Sequence, residues 1–433
     1  MDRNNDIDDL PGLDKSGDLD DLDIIICTAA FIPLLLICVL AGNFPEIFNE
    51  GSPNKRRRTS KAIHPRCSFD MLMEEKQLNE SDTSNYLRMS RKSFDELALM
   101  LRDHLLVDES YAARRGGAIS PEYCLFMTLR YLAGARYQDI CNTCRVSSTA
   151  VYDAIERTMD AIILCPELGL IFPKSVAECQ QVAGGFASIS TGNAITNCVG
   201  AIDGFLMPIK VPTKAEVSNV TAYYSGHYAR YGINVQAICD SYCRFTFLSA
   251  SSPGSVNDRV AYEHCNVKSF VECLPDDYAI LADAAYAPTE HCLPMYYGIK
   301  RSRNAKYDNY NYYASQLRIR IEMAFGMMTR KWMILDSPVK TKIRKSITMI
   351  HCIARLHNYC INQRLSNNEA IDYNSADRNE QPTVQMNIVG DPIANNQQEH
   401  YRAYGSSANR ELVAANIHSK GLVRPLSNIR TIN

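Results

Sequence analysis

At Cys198 the spacing of apolar residues changes. Before it they recur every three or four positions, as helix faces require; after it they alternate or run together, as strands do. That switch predicts an all-helical unit followed by an α/β unit, and 433 residues leave room for both plus connecting tails.

In the helical half, residues 69–106 predict amphipathic helix, with Leu97, Met100, Leu101, His104 and Leu105 spaced by three and four. Ser120-Pro121-Glu122 opens a second helix ending at Gly134, and Tyr137 to Cys144 reads as a short one. Val146-Ser147-Ser148-Thr149 then opens a further helix carrying Val151, Ala154, Ile155 and Met159. Helix, short helix, turn and serine-capped helix is the order of a helix-turn-helix. A plain helical bundle has the same periodicity, and Arg145 and Arg157 supply only modest charge for DNA.

In the second half, Val199–Asp203 and Tyr278–Asp283 are apolar runs that each end in an acid. Ile233–Ile238 and Arg244–Ser249 alternate like half-buried strands around a turn at 239–243. A long helix is expected from about Tyr312 to Trp332 and a closing one from about Lys345 to Cys360. Beyond Leu365 the chain is polar and predicts a mobile tail with one short helix near Gln398–Tyr404.

Composition is that of a folded protein: 46% apolar and 22% charged residues exclude global disorder and collagen-like repeats. The net charge of −2 argues against histone-like binding, but charge is segregated. Residues 2–23 hold nine acids and two bases, whereas 300–345 hold twelve Lys/Arg against three acids, enough to hold a polyanion or to form a solvated helix face. The 16 cysteines are scattered with no secretory signal before them, and only Cys141 and Cys144 form a CxxC, so a reducing compartment is expected.

From Ile24 to Gly42 about nineteen residues carry no charge, long enough to span a membrane. A transmembrane helix, a buried helix kinked at Pro33 and a mis-assigned exon all remain open. Lys55-Arg56-Arg57-Arg58 suits a nuclear import signal or a cytoplasmic stop after such a span.

Two strands ending in Asp203 and Asp283, followed by a helix carrying Glu322, are a chemically meaningful set. Carboxylates are hard ligands that suit Mg2+, and two such ions about 4 Å apart can bridge a scissile phosphate. Each acid alone has a plainer reading: a turn at Asp203-Gly204, a helix cap at Asp283, and an ion pair from Glu322 to Arg318 one turn earlier. His351 and His357, with Cys352 and Cys360 nearby, read as packing rather than a soft-metal site.

Five ordered motifs carry a resemblance: Gly200-Ala201-Ile202-Asp203-Gly204, Pro253-Gly254-Ser255-Val256-Asn257-Asp258, Ala282-Asp283-Ala284-Ala285-Tyr286, Arg318-Ile319-Arg320-Ile321-Glu322-Met323-Ala324-Phe325-Gly326 and Leu356-His357-Asn358. Together they resemble the Harbinger/PIF transposase family of DDE nucleases. Phe205-Leu206 replaces the family's usual Thr-His, Ala285 its usual Gly, and the 38 residues between Asp283 and Glu322 are somewhat few.

The resemblance implies an α/β, RNase H-like mixed sheet with flanking helices, preceded by an all-α helix-turn-helix-like domain. It implies two Mg2+ or Mn2+ ions, cleavage of double-stranded DNA at transposon ends and strand transfer into target DNA. The catalytic and metal-binding acids become Asp203, Asp283 and Glu322, with Asp258 as a candidate fourth ligand and Arg318, Arg330 and Lys331 as candidate DNA contacts. A Myb-like DNA-binding partner, a homo-oligomer and a nuclear location follow, with membrane anchoring through 24–42 as the alternative location and a host-adopted, catalytically silent DNA-binding protein as the alternative function. The expected organisation is an N-terminal segment and basic linker over 1–65, a helical domain over 66–165, a linker over 166–197, the nuclease over 198–362 and a polar tail over 363–433.

Overall fold

A computed structural model describes residues 69–76, 79–107, 118–298, 304–371, 373 and 407–425. Every described residue lies in one compact unit that begins after residue 63. The apolar run 24–42, the basic run 55–58 and the expected helix at 398–404 lie outside the described residues. None of the described helices is long and apolar enough to cross a membrane.

The stretch 69–106 contains four helices: α1 (Phe69–Lys76), α2 (Glu80–Leu87), α3 (Arg91–Met100) and α4 (Arg102–Leu105). Asn79 and Ser90 divide it, because their side chains accept from the Asp82 and Ser93 amides and so start new helices. Next come α5 (Pro121–Leu132), α6 (Tyr137–Cys144) and α7 (Ser148–Leu164), started by Ser120 with Pro121 in its first turn and by Ser147. Arg145 ends α6 in the left-handed region at φ 52°. α5 is buried on nearly every side and forms the axis of this helical layer.

The expected linker 166–197 contains α8 (Val176–Ile189), closed by a capping box between Ser175 and Glu178. Strand β1 (Cys198–Pro208) follows, then β2 (Tyr224–Ser225), β3 (Arg230–Cys239), β4 (Phe245–Pro253), α9 (Asp258–His264), α10 (Val267–Glu272), β5 (Ala279–Ala282) and β6 (Cys292–Pro294). The last elements are α11 (Ala305–Lys331), α12 (Ile343–Ser366) and, within the expected polar tail, α13 (Ala408–Ser419).

The six strands form one mixed sheet. β3 pairs antiparallel with β1, β2 and β4, whereas β1 and β5, and β5 and β6, run parallel. β1 does not end at Asp203 as the apolar run suggested. It continues to Pro208 in unbroken register with β3, since Phe205 packs on Phe325 of α11 at 5.2 Å and Met207 is fully buried.

Alternation along the strands separates two layers. Ala201, Met207, Val235 and Ala237 join α11, α12 and the helical layer in one continuous core. Ile202, Ile238 and Ile280 face the other way, onto α8, α9 and α10, and Val199 joins them where the register with β5 shifts between Cys198 and Gly200. α12 is the spine between the helical layer and the sheet: it packs on α7, Tyr359 Oη donates to the Ser93 carbonyl at 2.7 Å, and Lys345 pairs with Glu156. α13 buries Ala414 and Ile417 against the start of α11 beside Tyr310 and Tyr313.

Candidate active site

Parallel pairing sets the two strand acids side by side. Ala201 is level with Leu281, so two residues further on Asp203 is level with Asp283, just past the end of β5. Asp203 has the parity of Ala201 and therefore faces α11. Leu317, Ile321 and Ala324 of that helix are buried, which aims Arg318 and Glu322 at the strand. Arg318 Nη1 donates to Asp203 Oδ2 at 3.2 Å and Arg318 Nη2 pairs with Glu322 Oε1. Asp203 Oδ1 accepts from the Gly204 amide and Asp283 Oδ1 from the Ala285 amide, each at 2.8 Å.

Asp258 comes from the opposite face. Gly204 has the parity of Ile202, and a Cβ there would fall into the Asp258 carboxylate and within 2.9 Å of Gln236 Nε2. Asp258 Oδ1 accepts from Gln236 Nε2 at 2.9 Å and Asn234 Nδ2 at 3.1 Å, while Tyr286 Oη donates to Gln236 Oε1 at 2.7 Å. Asn234, Gln236 and Tyr286 are buried, and none was picked out from the sequence. The alternation of 233–238 suggested a solvent face for Gln236, but α9 and Tyr286 cover it. The polar residues within that strand were the available signal.

Burial, the neighbouring Asp283 carboxylate and Asp258 push the Asp203 carboxyl up to about 8, against the pull of Arg318 and the Gly204 amide. Burial also raises Asp258, offset in part by its amide donors and by His227. The site thus holds more negative charge than one guanidinium balances, and its donors are all hard oxygens. That chemistry fits a divalent cation such as Mg2+. The side chains are not gathered for one as they stand: among the described residues, no three His, Cys, Asp or Glu side chains form a group that could hold a metal ion. Arg318 instead engages two of the acids.

The remaining candidates lie elsewhere. Arg330 and Lys331 are roughly 18 Å along α11 from Arg318. Lys331 lies close enough to His357 to help hold that imidazole neutral. Several cations of 300–345 are engaged internally: Lys306 with Glu411 at 3.0 Å, Arg320 over Tyr373 at 4.8 Å and Lys345 with Glu156. Lys340, Lys342 and Arg344 are exposed, and the Ile209↔Val339 bridge brings Lys210 beside them. In the helical layer, Arg157 donates to the Leu105 carbonyl and Arg145 pairs with Glu75 at 3.9 Å.

The Leu356-His357-Asn358 motif clamps the sheet. His357 Nε2 donates to the Cys243 carbonyl at 2.8 Å, Cys352 and Cys360 are buried on α12, and His351 is half-buried there. None of the described cysteines forms a disulfide.

Residues 202–358 match the family model described as DDE superfamily endonuclease. The match opens one residue before Asp203 and closes on Asn358, so it contains all four acids and the clamp. No curated protein and no solved structure matches the chain.

Proposed function

We propose that this chain is a divalent-metal-dependent DNA endonuclease of the Harbinger/PIF transposase type, which cleaves phosphodiester bonds at transposon ends and joins them to target DNA. The nuclease match over 202–358 gives the reaction class. The observation that carries the residue assignment is the parallel register that sets Asp203 beside Asp283, with Arg318 linking Asp203 to Glu322. The strand order, with an antiparallel β4–β3–β1 half continued by parallel β5 and β6, supports an RNase H-like reading of the sheet.

Mg2+ or Mn2+, two ions on this reading, would supply Lewis-acid polarisation of the phosphate for cleavage and joining. Asp203, Asp283 and Glu322 would hold them. Asp258, held by two amide donors across Gly204, acts on the site from behind the strand. Lys340, Lys342 and Arg344, with the half-buried Lys210 beside them, provide a basic track for the phosphate backbone, beyond the end of β1 and about 23 Å along the chain from Asp203.

The helices α5 to α7 are read as the helix-turn-helix-like part. The exposed face of α7 carries Tyr152, Asp153 and Asp160, an acidic surface that favours recruitment of a separate Myb-like DNA-binding protein over strong phosphate contact by this helix alone. Action on two DNA ends favours a homo-oligomer, and a DNA substrate favours the nucleus.

The test is nicking of end-bearing DNA with Mg2+. Asp203→Asn, Asp283→Asn and Glu322→Gln are each expected to abolish nicking and leave DNA binding intact. Cleavage retained by all three would overturn the assignment. Binding without cleavage by the unaltered protein would favour the host-adopted, silent alternative.

A further inference from the structure

Arg318 is engaged in a way that the proposed chemistry does not explain. Its guanidinium spans Asp203 Oδ2 and Glu322 Oε1, two of the three acids assigned to the metals. The other Asp203 oxygen is already taken by the Gly204 amide. All three side chains are mostly enclosed, with 19% of Arg318, 20% of Asp203 and 27% of Glu322 exposed. A divalent cation bound to those carboxylates would stand beside the guanidinium, where like charges in a partly dry site oppose each other strongly.

We propose that Arg318 is the exchange partner of the metal: it holds Asp203 and Glu322 together in the metal-free protein and releases them when divalent cations bind. The inference rests on the metal-dependent reading of the acids. With no divalent ion present, Arg318 bonds two of the carboxylates and feels the charge of the third, Asp283, which offsets the repulsion among them. Divalent cations bring more charge to the same oxygens and leave the guanidinium without a role between them.

Only a side-chain rotation is needed. Leu317 and Ile321 are fully buried, so the helix that carries Arg318 and Glu322 stays in place. The released guanidinium can then donate its hydrogen bonds to a phosphate oxygen. Arg318 is in this account a positioning residue that guards the acids and couples metal loading to exposure of a phosphate-binding group.

The experiment uses the full chain and Mn2+ alone. Arginine modification by phenylglyoxal, followed by peptide mass spectrometry, is expected to label Arg318 slowly in the metal-free protein and severalfold faster with saturating Mn2+. In parallel, Mn2+ binding measured by electron paramagnetic resonance is expected to tighten about tenfold in Arg318→Met and to be lost from this site in Asp203→Asn. If Mn2+ binds in an Asp203-dependent way while Arg318 labelling stays constant and Arg318→Met binds no more tightly, the exchange is wrong and the metal reading stands. If wild type and Asp203→Asn bind Mn2+ alike, or neither binds it, the metal reading and the exchange both fail. Should Arg318→Met not fold, labelling of the wild-type chain decides alone.

Discussion

Asn358 acts as a strand partner for Phe245: its Oδ1 accepts from the Phe245 amide at 2.8 Å and its Nδ2 donates to the Phe245 carbonyl at 2.7 Å. One side chain of α12 thereby satisfies both backbone groups where β4 begins. His357 secures the preceding turn through the Cys243 carbonyl. Asn358→Ala removes both bonds and leaves a half-buried amide and carbonyl unpaired, so a loss of about 2–4 kcal/mol is expected. Asn358→Asp keeps only the acceptor and sets a carboxylate against the Phe245 carbonyl. Urea denaturation of both variants should show each well below wild type.

Protonation of the same clamp sets a pH dependence. Burial lowers the His357 imidazole to about 4, and burial with Arg355 does the same for His351. Each is neutral in the folded state but takes a proton near its ordinary value of about 6.5 when unfolded. The unfolded state therefore binds more protons between those values, and stability falls as pH drops from about 6.5 toward 4. His357 alone can account for at most about 3 kcal/mol of that fall. In melting curves recorded between pH 7 and 4.5, His357→Gln should lose stability less steeply than wild type; parallel curves would exclude His357 as a source of the dependence.

Gly204 has a packing reason to lack a side chain. Ala at this position drives a methyl group into the Asp258 carboxylate and against Gln236, so Gly204→Ala should cost about 1–3 kcal/mol. Asp258→Ala opens that space. The double variant should then be more stable than the sum of the single losses predicts, by about 0.5–3 kcal/mol in a double-mutant cycle. Strict additivity would mean that the two positions do not meet.

Charge reversal at the basic track separates binding from chemistry. Lys340→Glu with Lys342→Glu is expected to weaken DNA binding and to reduce its salt dependence by about two phosphate contacts, while Mn2+ binding is unchanged. Fluorescence anisotropy across a salt series reads both the affinity and the slope.

Much of this site was legible because its acids are covalently attached to strong signals. Asp203 and Asp283 close runs of Val, Ile, Leu and Ala that only a buried strand accommodates, and Glu322 sits on a helix whose apolar stripe is plain. Other features were hidden for physical reasons. α8 is rich in Ala, Gly and Gln with little contrast between its faces, and it read as linker. β6 has three residues, too few for any period, and exists because β5 offers it an edge. The Gln236–Asp258–Tyr286 network depends on three segments far apart in sequence, and no local pattern shows that a polar strand face will be covered. α13 owes its place to long-range partners, Glu290 at its first amides and Lys306, Tyr296 and Tyr307 around Glu411.

Anomalous diffraction from crystals soaked in MnCl2 tests the shared metal site most directly. The expected map has manganese peaks between the Asp203 and Asp283 carboxylates, with Glu322 turned to meet them. Peaks confined to other acidic residues, with none at Asp203 under saturating Mn2+, would contradict the assignment.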